Sequence, residues 1–217
     1  MSLVKCFLSS LLLFLCAIVV SPLTPDVYAG EKGDVVLRFR SLLMNPSESG
    51  DISVIGGTPN LDTSVALEFD ATYFFSDHLA AELIFLGGAK HNPKAIDTAL
   101  GDLELGSVIA SPAGLTFQYH FTSGRDAVVQ PYVGAGVTYA IFSNKKASEV
   151  ITDIQYKNKF GYQFQAGFDV PIGQKFTLNF DYKKLFVKTE IAVNDGLIGA
   201  NVTLNPSVYG VGLGYCF

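Results

Sequence analysis

The sequence predicts an all-β protein: an eight-stranded antiparallel transmembrane β-barrel with short periplasmic turns and long extracellular loops. Three observations carry that prediction. The 217 residues are 49% hydrophobic and only 16% charged, with a mean hydropathy of +0.33, whereas soluble domains carry about 25% charged residues. Beyond residue 30 no run reaches the ~18–20 apolar residues that a spanning helix needs. The apolar residues instead alternate with period 2, and the links between alternating segments are short and long in turn.

Other classes fall away on composition. Seventeen Phe and ten Tyr are incompatible with a disordered chain. A net charge of −5, with no Lys/Arg cluster, argues against a nucleic-acid partner. The first residues read as an address. Lys5 precedes an apolar stretch from Phe7 to Val20, broken by Ser9 and Ser10, and Val27-Tyr28-Ala29 fits a cut after Ala29. Residues 1–29 are therefore expected to be a signal peptide and residues 30–217 the outer-membrane barrel. A retained anchor helix is the alternative, and the stretch is short for one. Leu15 before Cys16 does not suit a lipoprotein signal. Cleavage removes Cys6 and Cys16, so Cys216 has no partner for an internal disulfide.

The strands follow in order. Segment 34–43 sets Val35, Leu37 and Phe39 against Arg38 and Arg40, and 63–75 sets Leu67, Phe69 and Tyr73 against Glu68, Asp70 and Thr72. Segment 79–86 sets Leu79, Leu83 and Phe85 against Glu82 and Ile84, and 115–121 sets Phe117 and Tyr119 against Gln118 and His120. In 130–142 Val133, Val137 and Tyr139 oppose Gly134, Gly136 and Thr138, and in 160–170 Phe160, Phe164 and Phe168 oppose Gln163, Gln165 and Asp169. Segment 176–186 sets Phe180 and Tyr182 against Asp181 and Lys183, and 209–217 sets Tyr209, Leu213, Tyr215 and Phe217 against three glycines and Cys216.

The two faces decide the environment. A soluble sandwich would bury its apolar face and turn Lys, Glu and Thr to water. Here the bulky face carries an aromatic at almost every second position, and the minor face is Gly, Gln, Thr, Asn and Asp. A barrel places the first face against lipid and the second in a narrow lumen. Glycine at 21 of 217 residues, against a usual share of about 7%, lets such a lumen close. Short turns at 76–78, 123–126 and 171–174 alternate with long links at 44–62, 87–114, 143–159 and 187–203. Aromatics at strand ends (Tyr73, Phe74, Phe75, Phe121, Tyr139, Phe142, Phe160, Tyr162, Tyr215, Phe217) suit interfacial girdles.

The chain stops on Phe217, with Tyr215 on the same face, which resembles the terminal strand that barrel-assembly machinery recognises. The stretch Gln130-Pro131-Tyr132-Val133-Gly134-Ala135-Gly136-Val137-Thr138-Tyr139 resembles a strand of the OmpW family of small outer-membrane proteins. Ala81-Glu82-Leu83, Ser111-Pro112, Leu115 through Phe121, Gly161 through Asp169 and the Gly-rich last strand agree in order with that family. The resemblance implies a monomeric eight-stranded barrel with a narrow, partly apolar lumen that passes or binds small hydrophobic molecules. It also implies a constriction of apolar inward residues. Ile84, with Leu86 above it, fits; Lys183 stands where a large inward aromatic is expected. That constriction is either amphipathic or shifted in register by two.

Arg38 and Arg40 face inward on the first strand, opposite Asp70 and Glu68, with Glu82 inward on the third. In a narrow barrel such groups must pair. They form either an internal plug or a polar filter, and Asp169, Asp181 and Lys183 read as a second cluster. Catalysis is not expected: hydrolysis needs a nucleophile, base and orienting acid together, and His78, His91 and His120 are scattered. No His pair has metal-ligand spacing and there is no Cys cluster, so neither metal nor cofactor is expected. Lys90, His91, Lys94, Lys145 and Lys146 are candidate contacts to lipopolysaccharide phosphates, against the alternative of plain solvated loop charge. The functional expectation is a route or site for small hydrophobic or amphipathic molecules across the outer membrane. Its rival is a sealed barrel whose loops bind something outside.

Overall fold

The computed structural model describes residues 30–49, 56–122, 127–147, 154–172, 175–193 and 198–217. The expected signal peptide, its cleavage site and the 123–126 turn lie outside the described residues. Eight long strands form the barrel: β1 Val35–Asn45, β2 Ser64–Phe74, β3 Leu79–Leu86, β4 Ala113–His120, β5 Gln130–Ala140, β6 Lys159–Pro171, β7 Phe176–Val193 and β8 Ser207–Cys216. Each pairs antiparallel with its neighbours in sequence, and β1 pairs with β8 to close the ring. Closure satisfies the backbone N–H and C=O groups inside the wall, the condition for crossing hydrocarbon with strands.

The alternation sorts side chains as a lipid-facing wall requires. Along β2, Leu67 is 51% and Phe69 47% exposed, while Glu68 between them is 2% and Asp70 is 0% exposed. Phe117, Tyr162 and Phe164 likewise face outward. Inward glycines make room for the large polar groups. A Cβ on Gly212 would lie 2.7 Å from Cγ of Arg40, and one on Gly167 would lie 2.6 Å from the Tyr132 ring.

The long links are not plain loops. β7 runs on to Val193, and Ile154–Tyr156 and Ile198–Leu204 pair with its upper half, so the wall rises beyond the membrane. Two small sheets cap this end: Thr58–Asn60 with Lys94–Ile96 and Leu103–Glu104, and Ala89–His91 with Gly106–Ala110 and Phe142–Ala147. The alternation continues through Val187, Thr189 and Ile191, but Lys and Glu replace the outward aromatics. An aromatic-counting criterion therefore ends the strand too early.

Two girdle assignments are corrected. Phe74 is buried inside the barrel's periplasmic end with Val36, Ala80 and Cys216. Phe142 packs against Tyr156 in the extracellular extension, with ring centroids 5.5 Å apart. Both stand on the inward parity: Phe74 follows Glu68, Asp70 and Thr72 along β2, and Phe142 follows Thr138 and Ala140, so an aromatic at a strand end faces lipid only where its parity is outward.

Candidate functional site

The interior is stacked in three layers. At the periplasmic end the His120 ring lies between Phe74 and Tyr132, with centroids at 4.7 and 5.1 Å. His120 Nε2 meets Gln118 Oε1 at 3.1 Å, and His78 Nδ1 meets the His120 carbonyl at 2.8 Å. Ser123, three residues beyond His120 and the nearest serine in sequence that a His120 triad could draw on, lies outside the described residues.

The middle layer is a continuous ionic network. Arg38 donates from Nη2 to Asp169 Oδ2 at 2.8 Å and from Nη1 to Thr72 Oγ1 at 2.7 Å. Arg40 donates to Glu68 at 2.6 Å, Glu82 at 2.8 Å and Asn179 at 2.6 Å. Lys183 donates to Asp181 at 2.6 Å and to Glu68 at 2.9 Å. Gln165 links Glu82 to Asp181, and the Tyr132 hydroxyl donates to Asp181 at 2.7 Å. The register sets Arg38 opposite Asp70 and Arg40 opposite Glu68. What the sequence divides into two clusters is one: Arg38 reaches across the lumen from β1 to Asp169 on β6, and Lys183 on β7 reaches Glu68 on β2. Long cationic side chains in a barrel this narrow reach the opposite wall. The neutral members Thr72, Gln118, Tyr132, Gln163, Gln165 and Asn179 were not singled out from sequence, though their inward parity marks them.

Above the network, Ile84, Leu86 and Leu185 meet Lys183 and Gln163 around a gap of about 20 Å³, little more than one water. Lys183 is buried and points inward. The constriction is amphipathic, and no register shift is needed.

The top layer is an apolar chamber of about 90 Å³ at the extracellular end, walled by residues such as Met44, Val108, Tyr156, Leu185, Val187 and Ile191. Five prolines (Pro46, Pro59, Pro93, Pro112, Pro206) also line it. Proline has no N–H, so each supplies wall backbone without a donor needing a partner. His91 closes one side, its Nδ1 3.3 Å from the Asp62 carbonyl and its Nε2 3.4 Å from Ser64 Oγ. Burial holds its pKa below the ordinary histidine value.

The candidate lipopolysaccharide contacts separate. His91 is turned inward and cannot serve. Lys94 pairs with Glu104 at 3.1 Å; Lys90 and Lys146 are exposed, and the side chain of Lys145 is not among those described. Lys157 and Lys159 both hold Glu190, lowering its pKa to about 2. Tyr215 and Phe217 stack edge to face at 4.7 Å on the outer wall of the periplasmic end.

A closed antiparallel barrel with an aromatic lipid face, a charged interior and an apolar extracellular chamber defines a small outer-membrane barrel protein. The chain belongs to the OmpW family, whose description matches residues 31–217. It is 34% identical over 202 residues to the uncharacterized outer-membrane protein y4mB of Sinorhizobium fredii, covering 91% of this chain and 86% of that one. It is 26% identical over 171 residues to the dibenzothiophene metabolism operon protein PahQ of Pseudomonas aeruginosa, covering 76% of this chain and 77% of that one. The crystal structure of the outer membrane protein OprG from Pseudomonas aeruginosa shares the fold, with a TM-score of 0.81 at 24% identity over 88% of this chain and 99% of that one.

Proposed function

We propose that this barrel, delivered to the outer membrane by a cleaved signal peptide, admits small hydrophobic molecules from outside. The apolar chamber receives the solute, which then leaves sideways into the outer leaflet. The observation that carries this reading is the stacking: an apolar chamber stands directly over a lumen filled by buried charge. A hydrophobic solute descending the axis would have to displace paired charges, and an uncompensated buried charge costs several kcal/mol. The chamber offers burial worth about 25 cal/mol per Å² of apolar surface.

Strand pairing supports a sideways exit. Above Ala140 and Lys159 the wall partners diverge: Phe142–Ala147 pairs with Gly106–Ala110, while Ile154–Tyr156 pairs with β7. At the junction the Phe142 N–H is bonded to the Asn158 side chain, at 3.0 Å. At about 90 Å³ the chamber is smaller than the ~150 Å³ cavity that takes a benzene, so a polycyclic solute requires these strands to part. The name of the PahQ relative, referring to metabolism of an apolar arene, agrees with such a cargo.

The test is arene uptake by outer-membrane vesicles carrying the wild type or Val187→Arg, which puts a charge into the chamber. Uptake should exceed that of barrel-free vesicles and fall to their level in the variant. Wild-type uptake no faster than the barrel-free control would refute the reading.

A further inference from the structure

The interior network does not balance its charge. Among the described residues it holds five carboxylates (Glu68, Asp70, Glu82, Asp169 and Asp181) against three cations, Arg38, Arg40 and Lys183, none more than 6% exposed. His120 lies below, between aromatic rings and bonded to Gln118. Even a charged His120 would leave one carboxylate in excess. An unbalanced charge enclosed by protein and lipid is prohibitively costly, so the network must take up something positive. A metal is not provided for: among the described residues no three His, Cys, Asp or Glu side chains are arranged to hold one.

We propose that the network is a proton-binding site and that Asp70 carries a proton at neutral pH, so the plug is shut by charge balance and loosens when that proton is withdrawn. Asp70 is the carboxylate with the fewest hydrogen bonds. Arg40 Nη1 donates to Glu68 Oε1 at 2.6 Å and meets Asp70 Oδ2 as an ion-pair contact, at 2.8 Å. Asp70 Oδ2 accepts no hydrogen bond, and Arg38 reaches Oδ1 only at 3.4 Å. Asp169 and Asp181, by contrast, each accept several.

The groups facing Asp70 come from every side of the barrel. Arg38 and Arg40 on β1 favour its ionised form. Glu68 on β2, Glu82 on β3 and, across the lumen, Asp169 and Asp181 oppose it. Lys183 on β7 is committed to Glu68 and Asp181. His120 and Tyr132 close the set from β4 and β5. Removing the proton puts three carboxylates on Arg40 at once, since Glu68, Asp70 and Glu82 all lie within 2.8 Å of its guanidinium. That repulsion draws water into the lumen.

Infrared spectra of the barrel in lipid vesicles read the proton directly. At neutral pH the wild type should show the C=O stretch of a protonated carboxylic acid, which fades as the pH is raised. Asp70→Asn, close in shape and neutral, should lose that contribution. Potassium leak should rise at least tenfold in the wild type on moving to alkaline pH and stay flat in Asp70→Asn. A wild type with no such band at neutral pH overturns the proposal without reference to any variant, and so does a band that Asp70→Asn leaves unchanged. A wild-type leak independent of pH overturns the link between the proton and the plug.

Discussion

Replacing Arg40 by leucine tests how far the interior is held by charge. Arg40 is fully buried and serves Glu68, Glu82 and Asn179 with hydrogen bonds, while contacting Asp70. Leucine fills much of the space but leaves Glu68 with Lys183 alone and Asp70 and Glu82 with only the distant Arg38, at 3.4 and 3.9 Å. Removing one partner of a buried pair costs about 3–5 kcal/mol, roughly a hundred- to several-thousand-fold in the folding equilibrium. The assay is urea unfolding in lipid vesicles, followed by strand circular dichroism. Arg40→Leu should lower stability by that amount, and Arg40→Leu with Glu68→Gln should recover part of it, because the two sites share one interaction. Lys94→Ala, which breaks an exposed pair with Glu104, should leave the midpoint unmoved. A loss below about 1 kcal/mol in Arg40→Leu, the worth of a surface pair, would refute the buried-network account.

Further outcomes follow from the same geometry. Gly212→Val should destabilise the barrel by about 1–3 kcal/mol, because its Cβ meets the Arg40 stem at 2.7 Å; an unchanged urea midpoint would show that the wall yields freely. Burial keeps His91 below its ordinary pKa of 6.5, so its contribution to the closed mouth is complete above that pH and lost as the pH falls. The hydrogen-exchange protection of Ala89–His91, taken relative to the intrinsic rate at each pH, should fall on acidification, and protection that stays constant or rises would contradict the assignment. Phe217→Ala should slow assembly by the barrel-assembly machinery while leaving refolding into vesicles near the wild-type rate; equal slowing of both would make the residue structural alone.

Period 2 alone made the eight strands and their lumen faces legible in the sequence, because parity decides lipid against lumen at each position. Arg38, Arg40, Glu68, Asp70 and Glu82 were legible for the same reason. What parity does not carry is reach across a lumen, so the joining of Arg38 to Asp169 and of Lys183 to Glu68 appeared only in three dimensions. The chamber was hidden differently. Its walls come from segments such as Ala89–His91 and Ile198–Leu204, too short and too polar outside to register as strands, and its prolines look in sequence like loop punctuation. Ile84 and Leu86 line the constriction together with Lys183, so its apolar side was legible from parity while its amphipathic character needed the structure.

The central claim is that hydrophobic solute occupies the chamber and does not pass the charged layer. Photolabelling with a diazirine-bearing arene added outside, followed by mass spectrometry, tests it directly. Labels should fall on Leu185, Val187 and Ile191 and on the diverging strands near Phe142. Labels on Phe74 or His120, below the network, would show axial passage and contradict the account.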